Sequence, residues 1–152
     1  MTTTINSIKS NGLLFILILA PILYLVHIWS SIPDTVPLHW NWKGEADSYG
    51  SRTVLLWTVL GLNSFIYILL LVLPKIAARK QELEAMGAKY MRLRFVLQLF
   101  VASLSLVIIM MSSGRAPANP TILLGGCFIL FMLLFGNYAG SIRPNYFIGI
   151  RT

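Results

Sequence analysis

Apolar positions fall in four nearly uninterrupted blocks along the 152-residue chain, at about 12–30, 54–73, 95–111 and 121–139. The hydrocarbon core of a bilayer is about 30 Å thick, and roughly 17–25 helical residues cross it. Each block therefore predicts a transmembrane helix, because lipid offers backbone groups no hydrogen-bond partner. The intervals between them are an outer loop at 31–53 and an inner, basic loop at 74–94. The expected fold is a single all-α integral membrane domain of four spans with an ordered loop between the first two. The first block exceeds the apolar centre of a signal peptide and is followed by no A-x-A-like site, so it is expected to stay as a helix. Pro21 removes a backbone bond within it and predicts a kink.

Composition agrees with this pattern. The chain is 57% hydrophobic and only 11% charged, against about a quarter charged in soluble domains. The net charge of +7 adds an orientation. Nine of the twelve Lys and Arg lie in the amino-terminal segment, the 74–94 loop and the tail, which alternating spans place on one side. Basic residues in short loops stay cytoplasmic, so both termini are expected inside and the 31–53 loop outside. In the basic loop, Ile76, Leu83, Met86, Tyr90 and Leu93 recur at roughly helical spacing. They predict a short amphipathic helix on anionic headgroups; a docking surface for a cytoplasmic partner is the functional alternative. No soluble face combining bases and aromatics points to nucleic acid. The single Cys127 excludes an intrachain disulfide and reads as a small buried hydrophobe.

The polar residues within the spans include His27, Asn63, Gln98 and Asn137. The ordinary expectation is hydrogen bonding between helices; a polar path between them, as in a small transporter subunit, is the alternative. Gly136 and Gly140 have the GxxxG spacing that lets helices approach closely.

The chemistry of the chain is concentrated in the outer loop, around "VPLHWNWKGEADSYG". Pro33 and Pro37 stop the first helix and impose extended backbone, and Gly44 permits a turn. Trp29, Trp40, Trp42, Tyr49 and Trp57 suit the membrane interface, where amphipathic rings sit. Aromatic rings beside fixed polar groups also suit a ligand such as a peptide or a headgroup. The candidate ligand-binding residues are His39, Trp40, Asn41, Trp42, Asp47 and Tyr49. A zinc site of His39 with Asp47 and Glu45 is a weaker reading, since zinc usually takes three or four protein ligands rich in His or Cys. A metal-dependent membrane enzyme centred on His39 would follow from that site. Acid–base work by His39 alone lacks a marked nucleophile, and the chain is expected not to be an enzyme and to need no cofactor.

Two motifs carry a family resemblance. Pro33, Pro37, His39, Asn41, Gly44, Asp47 and Tyr49 resemble the outer-loop signature of a bacterial membrane domain of unknown function. Gly136, Asn137, Tyr138, Arg143, Pro144, Asn145, Tyr146, Phe147, Gly149, Ile150, Arg151 and Thr152 resemble the carboxy-terminal signature, at 136–152, of the SdpI family of immunity and signalling proteins. That resemblance implies a multi-pass protein of the bacterial cytoplasmic membrane that meets a secreted peptide toxin outside. It also implies protection of the cell or a signal passed inward by holding a cytoplasmic repressor. Asn137, Tyr138, Arg143, Asn145, Tyr146 and Arg151 would then form a latch or partner site. Family members usually continue past Gly-Ile-Arg-Thr with further spans, so ending at Thr152 suggests a truncated form or a short subclass.

Overall fold

A computed structural model describes residues 2–76, 87–116 and 119–139, with side chains from Asn11 onward and without that of Pro120. Helix α1 (Thr2–His27) ends in a 3-10 turn (Trp29–Ser31). Strands β1 (Thr35–Trp40) and β2 (Ala46–Ser51) follow, then α2 (Arg52–Ile76), α3 (Ala88–Ser112) and α4 (Pro120–Ala139). Helices α2, α3 and α4 are each long and apolar enough to cross a membrane, with mean hydropathies of 2.2, 2.3 and 2.0, and Asn11–His27 adds a shorter apolar helical stretch. This is the architecture of a helical membrane protein.

The expected all-α fold gains one β element: the 31–53 loop is a two-stranded antiparallel hairpin. Helix α1 runs on through Pro21, whose side chain is buried. The helices also outrun the apolar blocks. Lys75 lies on α2, and Lys89, Arg92 and Arg94 lie on the first two turns of α3 rather than in a loop. Most of the expected amphipathic helix falls at 77–86, outside the described residues.

Helix α3 is the hub. It packs against α1, α2, α4 and β1. Half of its apolar window is buried inside the protein, against 6% for α4, whose outer face suits lipid. Along the α3–α4 seam, the rings of Phe100, Phe131, Phe135 and Tyr138 follow one another at centroid separations of 4.4, 5.5 and 6.0 Å. This spacing lies in the favourable range for aromatic pairs. Two apolar clusters close the bundle. Leu25, Ile28, Ile32, Val36, Leu55, Val59 and Ile109 join the helices to the hairpin. At the opposite end, Tyr90, Leu93 and Tyr138 pack with Leu73, Leu97 and Phe135.

Between these clusters lies a buried polar group. Asn63 on α2 donates through Nδ2 to Ser105 Oγ of α3 at 2.8 Å and to its own helix at Val59 O, at 2.9 Å. Its Oδ1 accepts from Gln98 Nε2 of α3 at 3.3 Å, and Ser105 Oγ donates to Val101 O at 2.8 Å. The expectation of an interhelical hydrogen bond is met at Asn63 and Gln98. Asn137 and His27 are instead exposed on their helices. In apolar surroundings such bonds contribute about 0.6 kcal/mol each on average, with a maximum near 1.7. Asn63→Leu breaks both interhelical bonds at once and leaves Gln98 without its acceptor. It should lower stability in detergent by about 1–2 kcal/mol. Ser105→Ala leaves the Gln98 bond intact and should cost less than half as much in the same thermal unfolding series.

Candidate functional site

The hairpin follows from its sequence one residue at a time. In β1 the alternation of a strand turns Val36, Leu38 and Trp40 toward the protein and leaves His39 exposed. Val36 is fully buried, and Leu38 packs against the cluster beneath it. Gly50 faces Leu38 closely: a Cβ there would come within 2.4 Å of Leu38 Cδ1, so a side chain would displace the leucine. The register pairs Pro37 with Tyr49 and His39 with Ser48, with irregularities on either side of His39.

The turn is built by Asn41. Its Oδ1 accepts from Lys43 N at 2.9 Å and Glu45 N at 3.0 Å, and its Nδ2 donates to Glu45 Oε2 at 3.0 Å. Its backbone exchanges bonds with Glu45 O and Gly44 N. Gly44 adopts φ +82°, a conformation costly for a residue with a Cβ. A Cβ on Gly44 would also lie 3.2 Å from Thr121 Oγ1 and 3.3 Å from Asn119 Oδ1, so the tip of the hairpin rests on the start of α4. Asn41 and Gly44 thus shape the loop, and the polar atoms of Asn41 are engaged within it.

Three fasteners hold the hairpin to the helix ends. Arg52 donates from Nη1 to Trp29 O at 3.3 Å and Ile32 O at 3.2 Å, and its guanidinium lies 5.0 Å from the centre of the Trp29 ring. Its Nη2 also pairs with Asp34 at 3.0 Å. The Asp34 side chain is 90% exposed; an ion pair of that kind contributes about 0–1 kcal/mol, so the carbonyl bonds and the ring contact carry more of the anchoring. Ser112 Oγ at the end of α3 donates to Pro37 O at 2.8 Å, and Arg115 Nη2 donates to Ser31 Oγ at 2.7 Å. Arg52, Ser112 and Arg115 were not among the residues expected to matter, because their partners lie 18 to 84 positions away.

The candidate residues then divide into two surfaces. His39 Nδ1 meets Asp47 Oδ1 across the strands at 2.5 Å, with both side chains substantially exposed. In this contact the Nδ1–H of the ring donates to the Asp47 carboxylate. Tyr49, also exposed, lies on β2 near them. The second surface is an open groove of about 470 Å³ between the hairpin and α4. Trp40, Asn41 and Trp42 form one wall, and Leu124 and Phe128 form the other, with Gly125 between the latter two in sequence. Trp42 is 84% exposed and stands beside Lys43, whose ammonium lies 5.4 Å from the ring centre. The α4 wall was not anticipated; no local signal in "TILLGGCF" distinguishes a groove wall from a lipid-facing helix.

Zinc finds little support here. Glu45 is bonded to Asn41 rather than turned toward His39 and Asp47. Among the described residues, no group of three His, Cys, Asp or Glu side chains could hold a metal ion. Of the carboxy-terminal candidates, Asn137 is exposed and Tyr138 is buried against Tyr90 and Leu93. Arg143, Asn145, Tyr146 and Arg151 lie outside the described residues.

Asn41→Ala should loosen the turn by about 1–2 kcal/mol, the worth of the lost hydrogen bonds. Amide exchange at Lys43 and Glu45 should accelerate correspondingly, with little change in the helices. Arg52→Met should loosen the base instead, raising exchange across both strands while leaving the turn amides less affected.

Residues 16–63 match the model of a domain of unknown function (DUF1648). The matched segment runs from α1 through the whole hairpin to Asn63 on α2. Neither the curated proteins nor the solved structures yield a match.

Proposed function

We propose that the protein is a multi-pass membrane receptor or immunity protein of the bacterial cytoplasmic membrane. Its four helices span the bilayer, both termini face the cytoplasm, and the hairpin faces outward. The hairpin meets an amphipathic ligand, a toxic peptide or another envelope molecule, at the membrane boundary. An apolar side chain enters the groove between Trp40, Trp42 and Phe128, while polar groups of the ligand reach His39, Asp47 and Tyr49. The groove carries this reading: it is open, its walls come from two separate elements, and it lies where the exposed Trp42 can close over an apolar group. A small number of polar groups beside an apolar cleft is the usual composition of a recognition site. The asymmetry of charge supports the orientation, and the likeness of the chain's end to the SdpI family favours a peptide toxin as ligand and protection or inward signalling as outcome.

Orientation is tested with an impermeant thiol reagent on intact cells in a Cys127→Ala background. Ser48→Cys should label and Gln81→Cys should not; the reverse pattern inverts the assignment. Ligand recognition is tested in toxin-sensitive bacteria challenged with a panel of secreted apolar peptide toxins. Expression of the intact chain should raise tolerance to at least one of them. Trp42→Ala should weaken binding of that peptide by about 2 kcal/mol, the scale of a truncated aromatic hot spot, and His39→Ala by less. Equal survival with the intact chain, the variants and the empty vector across the panel would defeat the proposal.

A further inference from the structure

The end of the bundle opposite the hairpin carries a cation that no described residue neutralises. Arg94, on the second turn of α3, is only 6% exposed. Its guanidinium lies 5.6 Å from the centre of the Tyr67 ring on α2, and Nη1 approaches Met91 Sδ at 4.0 Å, a weak contact. Nε and Nη2 have no hydrogen-bond partner. These two nitrogens form one edge of the guanidinium, the edge that binds two oxygens of a carboxylate or phosphate side by side.

Burial of an arginine without an anion is strongly unfavourable. Among the described residues the carboxylates are Asp34, Glu45 and Asp47, all on or beside the hairpin at the far end. The surroundings of Arg94 add positive potential. Helix α3 begins at Gly87 with no side-chain cap and no acidic residue in its first turn. Arg92 shares those first turns with Arg94. A helix N-terminus attracts anions, and basic side chains there repel one another unless an anion is present. Arg94 lies six residues into the helix, a rise of about 9 Å. Two further buried acceptors, Gln98 Oε1 one turn deeper on α3 and Asn11 Oδ1 on α1, also lack partners.

We infer that the end of α3 opposite the hairpin holds the phosphate of an anionic phospholipid, gripped side-on by the buried, unpartnered Nε and Nη2 of Arg94. The lipid completes the charge balance of the hub helix. This site is separate from the hairpin groove, and its test does not depend on any ligand of that groove.

The test uses the purified full chain, delipidated in neutral detergent. Thermal unfolding is followed with phosphatidylglycerol, with phosphatidylcholine and with inorganic phosphate, and native mass spectrometry counts retained lipid. Phosphatidylglycerol should raise the midpoint by roughly 5–10 °C, a shift of the size expected for a ligand well above its dissociation constant. Phosphatidylcholine and inorganic phosphate should do much less. Arg94→Gln and Arg94→Lys, the latter keeping the charge but losing the fork, should both lose most of the shift, and Arg92→Gln should keep most of it. An undiminished shift in Arg94→Lys and Arg94→Gln would overturn the site. A full shift with inorganic phosphate alone would overturn the lipid as its source. Absence of any lipid response in the intact chain, together with destabilisation by Glu82→Gln/Glu84→Gln equal to that of Arg94→Gln, would assign the anion to the chain's own carboxylates instead.

Discussion

One buried polar stripe on α3 organises the protein. Tyr90, Arg94, Gln98, Ser105 and Ser112 follow at spacings of four and seven, so they share one face of the helix. All levels but that of Arg94 hydrogen-bond a neighbouring element. Tyr90 donates to the backbone of α2 at Leu70 O, 2.6 Å away, Gln98 and Ser105 bond Asn63, and Ser112 reaches the hairpin at Pro37 O. In a membrane, the apolar faces of helices gain little from leaving lipid for one another. Packing and hydrogen bonds must then choose the neighbours and the register, and this stripe supplies bonds at three heights. At Arg94 the stripe meets the Tyr67 ring and Met91 but no carboxylate among the described residues.

The same stripe determines where the chemistry of the hairpin sits. By holding Pro37, Ser112 places β1 over the end of α3, while Arg52 and Arg115 tie the chain on either side of the hairpin to the helix ends. The tip then lands on the start of α4, and the groove between Trp42 and Phe128 is a consequence of that landing. The motif that suggested a binding loop is therefore largely a construction motif. Asn41 and Gly44 make the turn, Pro37 contributes a carbonyl, and His39 and Asp47 clasp across the strands. What remains available to a ligand is the outer surface of His39, Asp47 and Tyr49 together with the rings of Trp40 and Trp42.

The four helices, the segment joining the first two and the chemistry gathered in it were legible in the sequence. Long uncharged runs leave helices as the only acceptable conformation in lipid, whatever their neighbours. Asn63 and Gln98 could be read as bonding between helices, because a polar amide in such a run needs a partner. The hairpin was not legible as β structure. Its strands are short, Pro37 interrupts one of them, and Asn41 and Gly44 signal a turn without saying whether strands flank it. The depth of Arg94 was hidden too, since a basic residue at the edge of an apolar run ordinarily belongs to the loop.

By itself, then, the sequence determined which segments are apolar helices and where polar chemistry must collect, because both depend on local composition and on the solvent around the chain. Which helix became the hub, which carbonyls Arg52 and Ser112 would find, and which face of α4 would close a groove were decided only in three dimensions. Those choices depend on contacts between residues separated by 20 to 84 positions, and a linear pattern carries no term for which distant partner lies within bonding reach.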